Sequence, residues 1–230
     1  MNNNHQLLNN IQHQSGQNPP PGKKQQPGET VLESPNKSWM TENHWNFLGL
    51  YQNLLRKSSL IILVTLGRNF TEKFHVRNLS RTLHYDVSLI SKNLKQLEIM
   101  GLVIHEDVGN LVLYQANMNN ILLKQMKICF TLFELNNLVM DLEKVTTNLI
   151  LYGSCARGED TSHSDIDLFI ETNDKKKVRA LLDTYQKKIT RPLSPIINTS
   201  NETYTLKLND NNLYTIIQQG MVLNRGDNVL

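Results

Sequence analysis

From Ser58 to Met118 the apolar residues fall first at helical intervals and then at alternate positions. SLIILVTLGRN predicts a short apolar helix stopped at Gly67. HVRNLSRTL sets Val76, Leu79 and Leu83 at helical steps. DVSLISKNLKQLEIMG puts Leu89, Ile90, Leu94, Leu97 and Met100 on one side of a helix, with Asp86 as its cap and Gly101 as its end. LVIHEDVGNLVLYQAN then reads as two short strands around EDVGN, a hairpin pattern. Upstream, Thr41 is a candidate cap and Trp45, Leu48 and Leu55 keep roughly helical spacing, so order is expected from Trp39. Downstream, NMNNILLKQMKICFTLFELNNLVMDLEKV is largely helical. Part of it links the flanking modules and part packs on the next sheet, and an exposed stripe is available for a dimer contact.

The pattern changes at Thr147. TNLILYGS is a buried strand (Leu149, Ile150, Leu151) running into a Gly-Ser turn, and SDIDLFIE alternates with period two. Ile166, Leu168 and Ile170 point into a core, while Asp165 and Asp167 point the other way, about 7 Å apart along an extended strand. Two carboxylates so placed can converge on a hard cation such as Mg²⁺. Gly153 would let the backbone approach a ligand closely, and Ser154 adds a hydroxyl beside it.

Composition narrows the field. Residues 1–38, rich in Asn, Gln, Pro and Gly, cannot bury enough apolar surface to order themselves and are expected to form a solvated tail. Cys129 and Cys155 lack the spacing of a disulfide framework or zinc site. Neither a signal core nor an apolar run of membrane-spanning length stands out, so a cytoplasmic protein without a membrane partner is the expectation. The net charge of +3 neither demands nor excludes a polyanion.

Three helices followed by a hairpin, Phe74 to Asn117, resemble the winged helix-turn-helix half of many small prokaryotic regulators. In that fold the helix from Asp86 would enter the major groove of DNA through Ser88, Ser91, Lys92 and Lys95. Arg77 and Arg81 would lie near the backbone, and the wing would be Glu106 to Asn110. Between Ser58 and Met118, six Lys and Arg face five Asp and Glu. That is a small margin for a surface whose affinity comes mostly from phosphate neutralisation.

GSCARGEDTSHSDIDLFI is similar to the signature of the DNA polymerase beta-like nucleotidyltransferases, and most to the minimal bacterial and archaeal members. The resemblance implies that Gly153 and Ser154 hold a triphosphate and that Asp165 and Asp167 ligate Mg²⁺ or Mn²⁺. Arg157 would touch phosphate or brace the turn. Cys155 is read as packing and His163 as a loop residue. Catalysing relatives bring a third carboxylate from a later strand. Here the corresponding strand, RPLSPIINTS, has none, and Ser194 lies near where it is expected. Glu171 shares the aspartates' face but lies too far along the strand. NETYTLKLNDNNLYTIIQQGMVLNRG is expected to close the domain with a helix and a short strand.

The expected architecture is α/β (α+β): a tail (1–38), a winged helix-turn-helix (39–118), a helical linker (119–146) and a nucleotidyltransferase domain (147–230) with a small mixed sheet flanked by helices. Two functions follow from the resemblance. One is an Mg²⁺-dependent transfer of a nucleoside monophosphate from an NTP, with ATP expected, to a hydroxyl acceptor. By analogy with antitoxins the acceptor could be a protein such as a HEPN-type ribonuclease. The other is a DNA-binding transcriptional regulator whose nucleotide-binding domain is catalytically weak or vestigial.

Overall fold

The computed structural model describes residues 52 and 54–225, which belong to one compact unit. The expected tail, Thr41, Trp45 and Leu48 lie outside the described residues. Helix α1 (Lys57–Arg68), strand β1 (Phe74–His75), helices α2 (Val76–Leu83) and α3 (Val87–Ile99), and strands β2 (Val103–Val108) and β3 (Leu111–Ala116) come first. β1, β3 and β2 form an antiparallel sheet in that order, with Val103 opposite Ala116 and Val108 opposite Leu111. Ile62, Leu63, Leu66, Leu79, Ile90, Leu94 and Leu97 meet in one core behind this hairpin. Three helices and a wing are thus the observed form of this half.

Two local expectations change. Gly67 does not stop α1, which continues through it to Arg68 and ends where the Asn69 side chain and N–H both donate to Thr65 O. Gly67 is instead where the stem of Lys127 crosses the helix, 3.4 Å from the place a Cβ would take. Asp86 does occupy the cap position of α3, but its side chain makes no capping hydrogen bond. The tight entry comes from His84, held at φ 57° with Ser80 Oγ donating to Tyr85 O.

Helix α4 (Ile121–Leu142) starts at Asn120, whose side chain accepts from Leu122 N and Leu123 N. Its first turns close the first core through Leu123, and Leu135, Leu138 and Leu142 enter a second core. One 22-residue helix is therefore shared by both halves.

The second half continues with β4 (Asn148–Tyr152), α5 (Gly153–Arg157), β5 (Ile166–Glu171), α6 (Lys175–Gln186), β6 (Leu193–Asn198), α7 (Ser200–Asn209), α8 (Asn211–Gln218) and β7 (Met221–Arg225). The sheet order is β6-β5-β4-β7, parallel between β5 and β6 and antiparallel elsewhere. β6 is an edge strand, so Pro195 removes no internal ladder hydrogen bond. Two closing helices are seen where one was expected. The alternation in β5 is half right: Ile166, Leu168 and Ile170 enter the second core. Phe169, on the aspartates' face, is also fully buried, in a third small cluster with Ile150, Tyr152 and Ile217. Phe169 therefore interrupts the polar face between Asp167 and the half-buried Glu171. Among the described residues no helix is long and apolar enough to cross a membrane.

Candidate nucleotide site and its surroundings

β4 ends at Tyr152 and passes directly into the five-residue helix α5, so the expected Gly-Ser turn is a helical start. Gly153 sits at φ +71°, in the left-handed region that glycine occupies without strain. A Cβ there would lie 2.2 Å from Asp167 Oδ2. The glycine thus makes room for a protein carboxylate, beyond the ligand approach expected from sequence.

Asp167 is half-buried at the middle of three strands. Its Cα partner across β4 is Tyr152, and across β6 it is Ser194. Burial pushes its carboxyl above the usual carboxylate range, and the nearby charge of Asp165 adds to that. The Ser194 hydroxyl and the Arg157 guanidinium pull the other way. Asp165 is exposed and precedes β5. Burial, then Asp167, push the Tyr152 phenol up as well. Ser194 therefore occupies the strand position beside Asp167, and β6 carries no Asp or Glu.

A cleft of about 380 Å³ opens over this point, bordered by Tyr152, Gly153, Arg157, Asp167, Gln219 and Gly220. That is toward the small end of ligand-binding pockets. Ser154 and Asp165 adjoin these residues in the chain but do not border the cleft. Arg157 is 58% exposed, and its Nε donates to Glu159 Oε2 at 2.9 Å. It braces the turn and borders the cleft at once. Cys155 is fully buried: its Sγ–H donates to Asp165 O at 3.4 Å, and burial pushes the thiol up. It is a packing residue. His163 is an exposed loop residue.

Two carboxylates flanked by a hydroxyl suit a hard divalent cation, which prefers oxygen ligands. Among the described residues no group of three or more His, Cys, Asp or Glu is gathered for a metal. Asp165 and Asp167 would supply the anionic ligands, one fewer than a three-carboxylate site offers.

Sequence reasoning missed a buried ion cluster behind the site. Arg191 is 2% exposed. It donates from Nη1 to Asp160 Oδ2 at 2.7 Å and from Nη2 to Glu134 Oε2 at 2.8 Å and Thr131 Oγ1 at 3.1 Å. Arg68 Nη2, from α1, reaches the same Glu134 Oε2 at 2.6 Å. Lys127 Nζ donates to Asp160 O at 2.6 Å, and burial pushes this ammonium's pKa down. Ser162 N also donates to Arg68 O, and Ser162 Oγ to Asn69 Oδ1. The end of α1 is thereby tied to the loop that delivers Asp165. The signal available in the sequence was Lys127 and Glu134, charged residues two helical turns apart on an apolar helix.

On the other half, Ser88, Lys92, Lys95, Arg77 and Arg81 are exposed and Ser91 is half-buried. The wing differs from a phosphate-binding one. Glu106 pairs with Lys73 and Glu98 with His105, whose pKa the Glu98 hydrogen bond raises. Ile104, Val108, Leu111 and Val112 are exposed around them.

Residues 134–211 match the family described as nucleotidyltransferase domain. One similar solved structure is the homodimeric winged helix-turn-helix DNA-binding domain from Mycobacterium bovis, described as a possible ArsR-family transcriptional regulator. It is 20% identical over 47% of this chain and 88% of its own, with a TM-score of 0.30. Another is a mutant of ZitR from Lactococcus lactis, 16% identical over 46% of this chain and 86% of its own, with a TM-score of 0.32. No curated protein matches. The chain carries a C-terminal nucleotidyltransferase-like domain behind an N-terminal winged-helix-like fold.

Proposed function

We propose that the protein is a DNA-binding regulator whose transferase-like domain binds an NTP, with ATP expected, and turns it over slowly or not at all. The observation that carries this reading is Ser194 beside Asp167 where a third carboxylate is needed. A hydroxyl can accept from or donate to a neighbour, but it brings no charge to a cation and is a poor base for an attacking hydroxyl. Asp165 and Asp167 would hold Mg²⁺ or Mn²⁺, which when bound would neutralise phosphate charge. Gly153, Ser154 and Arg157 would contact the phosphates. Ser88, Ser91, Lys92 and Lys95 would face the DNA groove, with Arg77 and Arg81 at its edge. The hydrogen bonds from Ser162, in the loop before Asp165, to Arg68 O and Asn69 Oδ1 would give nucleotide binding a route to the winged helix.

A second reading is supported by the close approach of Gly153 and Asp167. In it the protein slowly transfers a nucleoside monophosphate to a hydroxyl acceptor, such as a HEPN-type ribonuclease. The separating experiment uses α-phosphate-labelled NTPs with Mg²⁺ or Mn²⁺ and lysate, beside a gel-shift salt series. NTP binding without label transfer, together with salt-sensitive DNA retention, supports the regulator. If Arg77, Arg81, Lys92 and Lys95 are the four cations that meet phosphate, the log–log salt slope should be about −3.6 per chain. Label on a macromolecule, lost in Asp167→Asn, establishes the enzyme instead.

A further inference from the structure

Positive charge is concentrated around one helix of the second half, α6. From Asp174 to Thr190 there are six Lys and Arg against two Asp, an excess larger than the net charge of +3 on the whole chain. Lys176, Lys177, Arg179, Lys187 and Lys188 are exposed, and among the described residues none of them forms an ion pair. Lys175 is taken by Glu202. Of the two carboxylates, Asp174 is occupied as the cap of α6, accepting from Lys177 N at 3.0 Å. Asp183 lies one turn beyond Arg179, which offsets it. Asp141, near this helix at the end of α4, already accepts from Tyr185 Oη at 2.7 Å and Lys144 Nζ at 2.9 Å. Lys176, Lys177, Lys187 and Lys188 are left without an opposing charge.

The helix itself gains nothing from half of this arrangement. Its unpaired N–H groups make the N-terminus of a helix positive, so acids are favoured there and cations are not. The first turn of α6 is nevertheless Lys175, Lys176 and Lys177, with no acidic residue. Lys187 and Lys188 suit the C-terminal end, but Lys176 and Lys177 oppose the dipole. Folding does not account for them, and a bound polyanion does.

We infer that α6 binds the phosphate backbone of duplex DNA through Lys176, Lys177, Lys187 and Lys188. Lys176 and Lys187 lie on the same side of the helix, three turns or about 16 Å apart. Their long stems reach both backbones beside a groove about 12 Å wide. The inference rests on the DNA-binding part of the proposed function and supplies charge that the winged helix lacks. There, Arg68 is held by Glu134 and Lys73 by Glu106, which leaves few cations for phosphate. Contacts between ammonium groups and phosphates position a duplex without reading its sequence. An anionic membrane fits less well, because Val178 and Leu182 of α6 are buried in the second core and leave no apolar face to enter lipid. None of the four lysines borders the cleft at Asp167.

The test is a salt series of full-chain binding to a mixed-sequence duplex. It compares the wild type with a variant carrying Lys176→Gln, Lys177→Gln, Lys187→Gln and Lys188→Gln. The expected result is a log–log salt slope shallower by about 3 to 4 in the variant, with NTP binding unchanged. Arginine at the same four positions should restore the slope, which a loss of fold would not allow. An unchanged slope in the glutamine variant overturns the inference. A second variant, with Gln at Arg77, Arg81, Lys92 and Lys95, separates it from the regulator reading. If only that variant loses affinity, the winged helix binds DNA and α6 does not. If only the α6 variant loses affinity, the inference stands and the DNA-facing residues of the winged helix do not. A wild type that ignores the duplex but sediments with phosphatidylserine vesicles, through the same lysines, overturns it in favour of a membrane surface.

Discussion

Arg191 and Asp160 pair at 2.7 Å with side chains only 2% and 1% exposed, joining the approach to β6 to the loop before β5. The pair is one link in a chain of charges that also holds Glu134 on α4 and Arg68 on α1. Three cations, counting Lys127, share two carboxylates there. Asp160 Oδ1 and Arg191 Nε make no hydrogen bond, and Lys127 Nζ lies 3.7 Å from Asp160 Oδ1.

Removing either carboxylate should therefore be severe. Asp160→Asn or Glu134→Ala is expected to cost about 3–5 kcal/mol, the usual result of leaving a buried charge without its partner. Lys127→Met should cost less, since it removes a cation from the side in excess. Urea unfolding of the three variants checks the ranking, and an equal loss in all three would refute the charge argument.

Gly153→Ala should damage both stability and ligand binding. Left-handed backbone alone costs a residue with a Cβ about 1–2 kcal/mol, and here the Cβ would meet Asp167 Oδ2 at 2.2 Å. Displacing that carboxylate should abolish NTP binding in calorimetry while the winged helix keeps its fold. Retained binding would mean that Asp167 does not hold the ligand.

Asp167 should carry a stability cost that depends on pH. Its carboxyl is raised mainly by burial, then by Asp165. The ionised form is thus penalised in the folded state. The penalty is complete above the folded pKa and disappears as pH falls below the ordinary carboxylate value. Asp167→Asn should accordingly raise Tm at neutral pH, with the advantage shrinking on acidification. A constant difference between pH 7 and pH 3 would show that the charge is not the cause.

Ser194→Asp tests what the β6 position can do. A third carboxylate beside Asp167 should tighten Mn²⁺ binding, measured by titration calorimetry, and lower stability without metal through like-charge repulsion. If Mn²⁺ affinity is unchanged, Ser194 does not stand at a ligand position.

The periodicities that define α2, α3, the hairpin and β5 were legible because each reflects which face of a single element is buried. Leu79, Ile90, Leu94 and Leu97 needed no partner to be named as core. The role of Gly101 as a helix end, at φ +70°, was legible for the same local reason. The same holds for the lack of Asp or Glu in β6, Leu193–Asn198, since it is a matter of composition.

Other features depend on which elements meet. Gly67 reads as a stop in one dimension, but Lys127, sixty residues away, is what fills the space beside it. Phe169 is buried on the aspartates' face because α8 folds over that end of the sheet with Ile217. Arg191, Asp160, Glu134 and Arg68 are scattered along the chain, and only packing converts them from ordinary surface charges into one buried cluster. The sequence by itself determined the elements and their inward faces, since burial period follows from backbone geometry. The sequence pattern put Ser194 near the aspartates; the tertiary structure alone decided its register against Asp167 and how the buried charges pair, because both are set by contacts between distant segments.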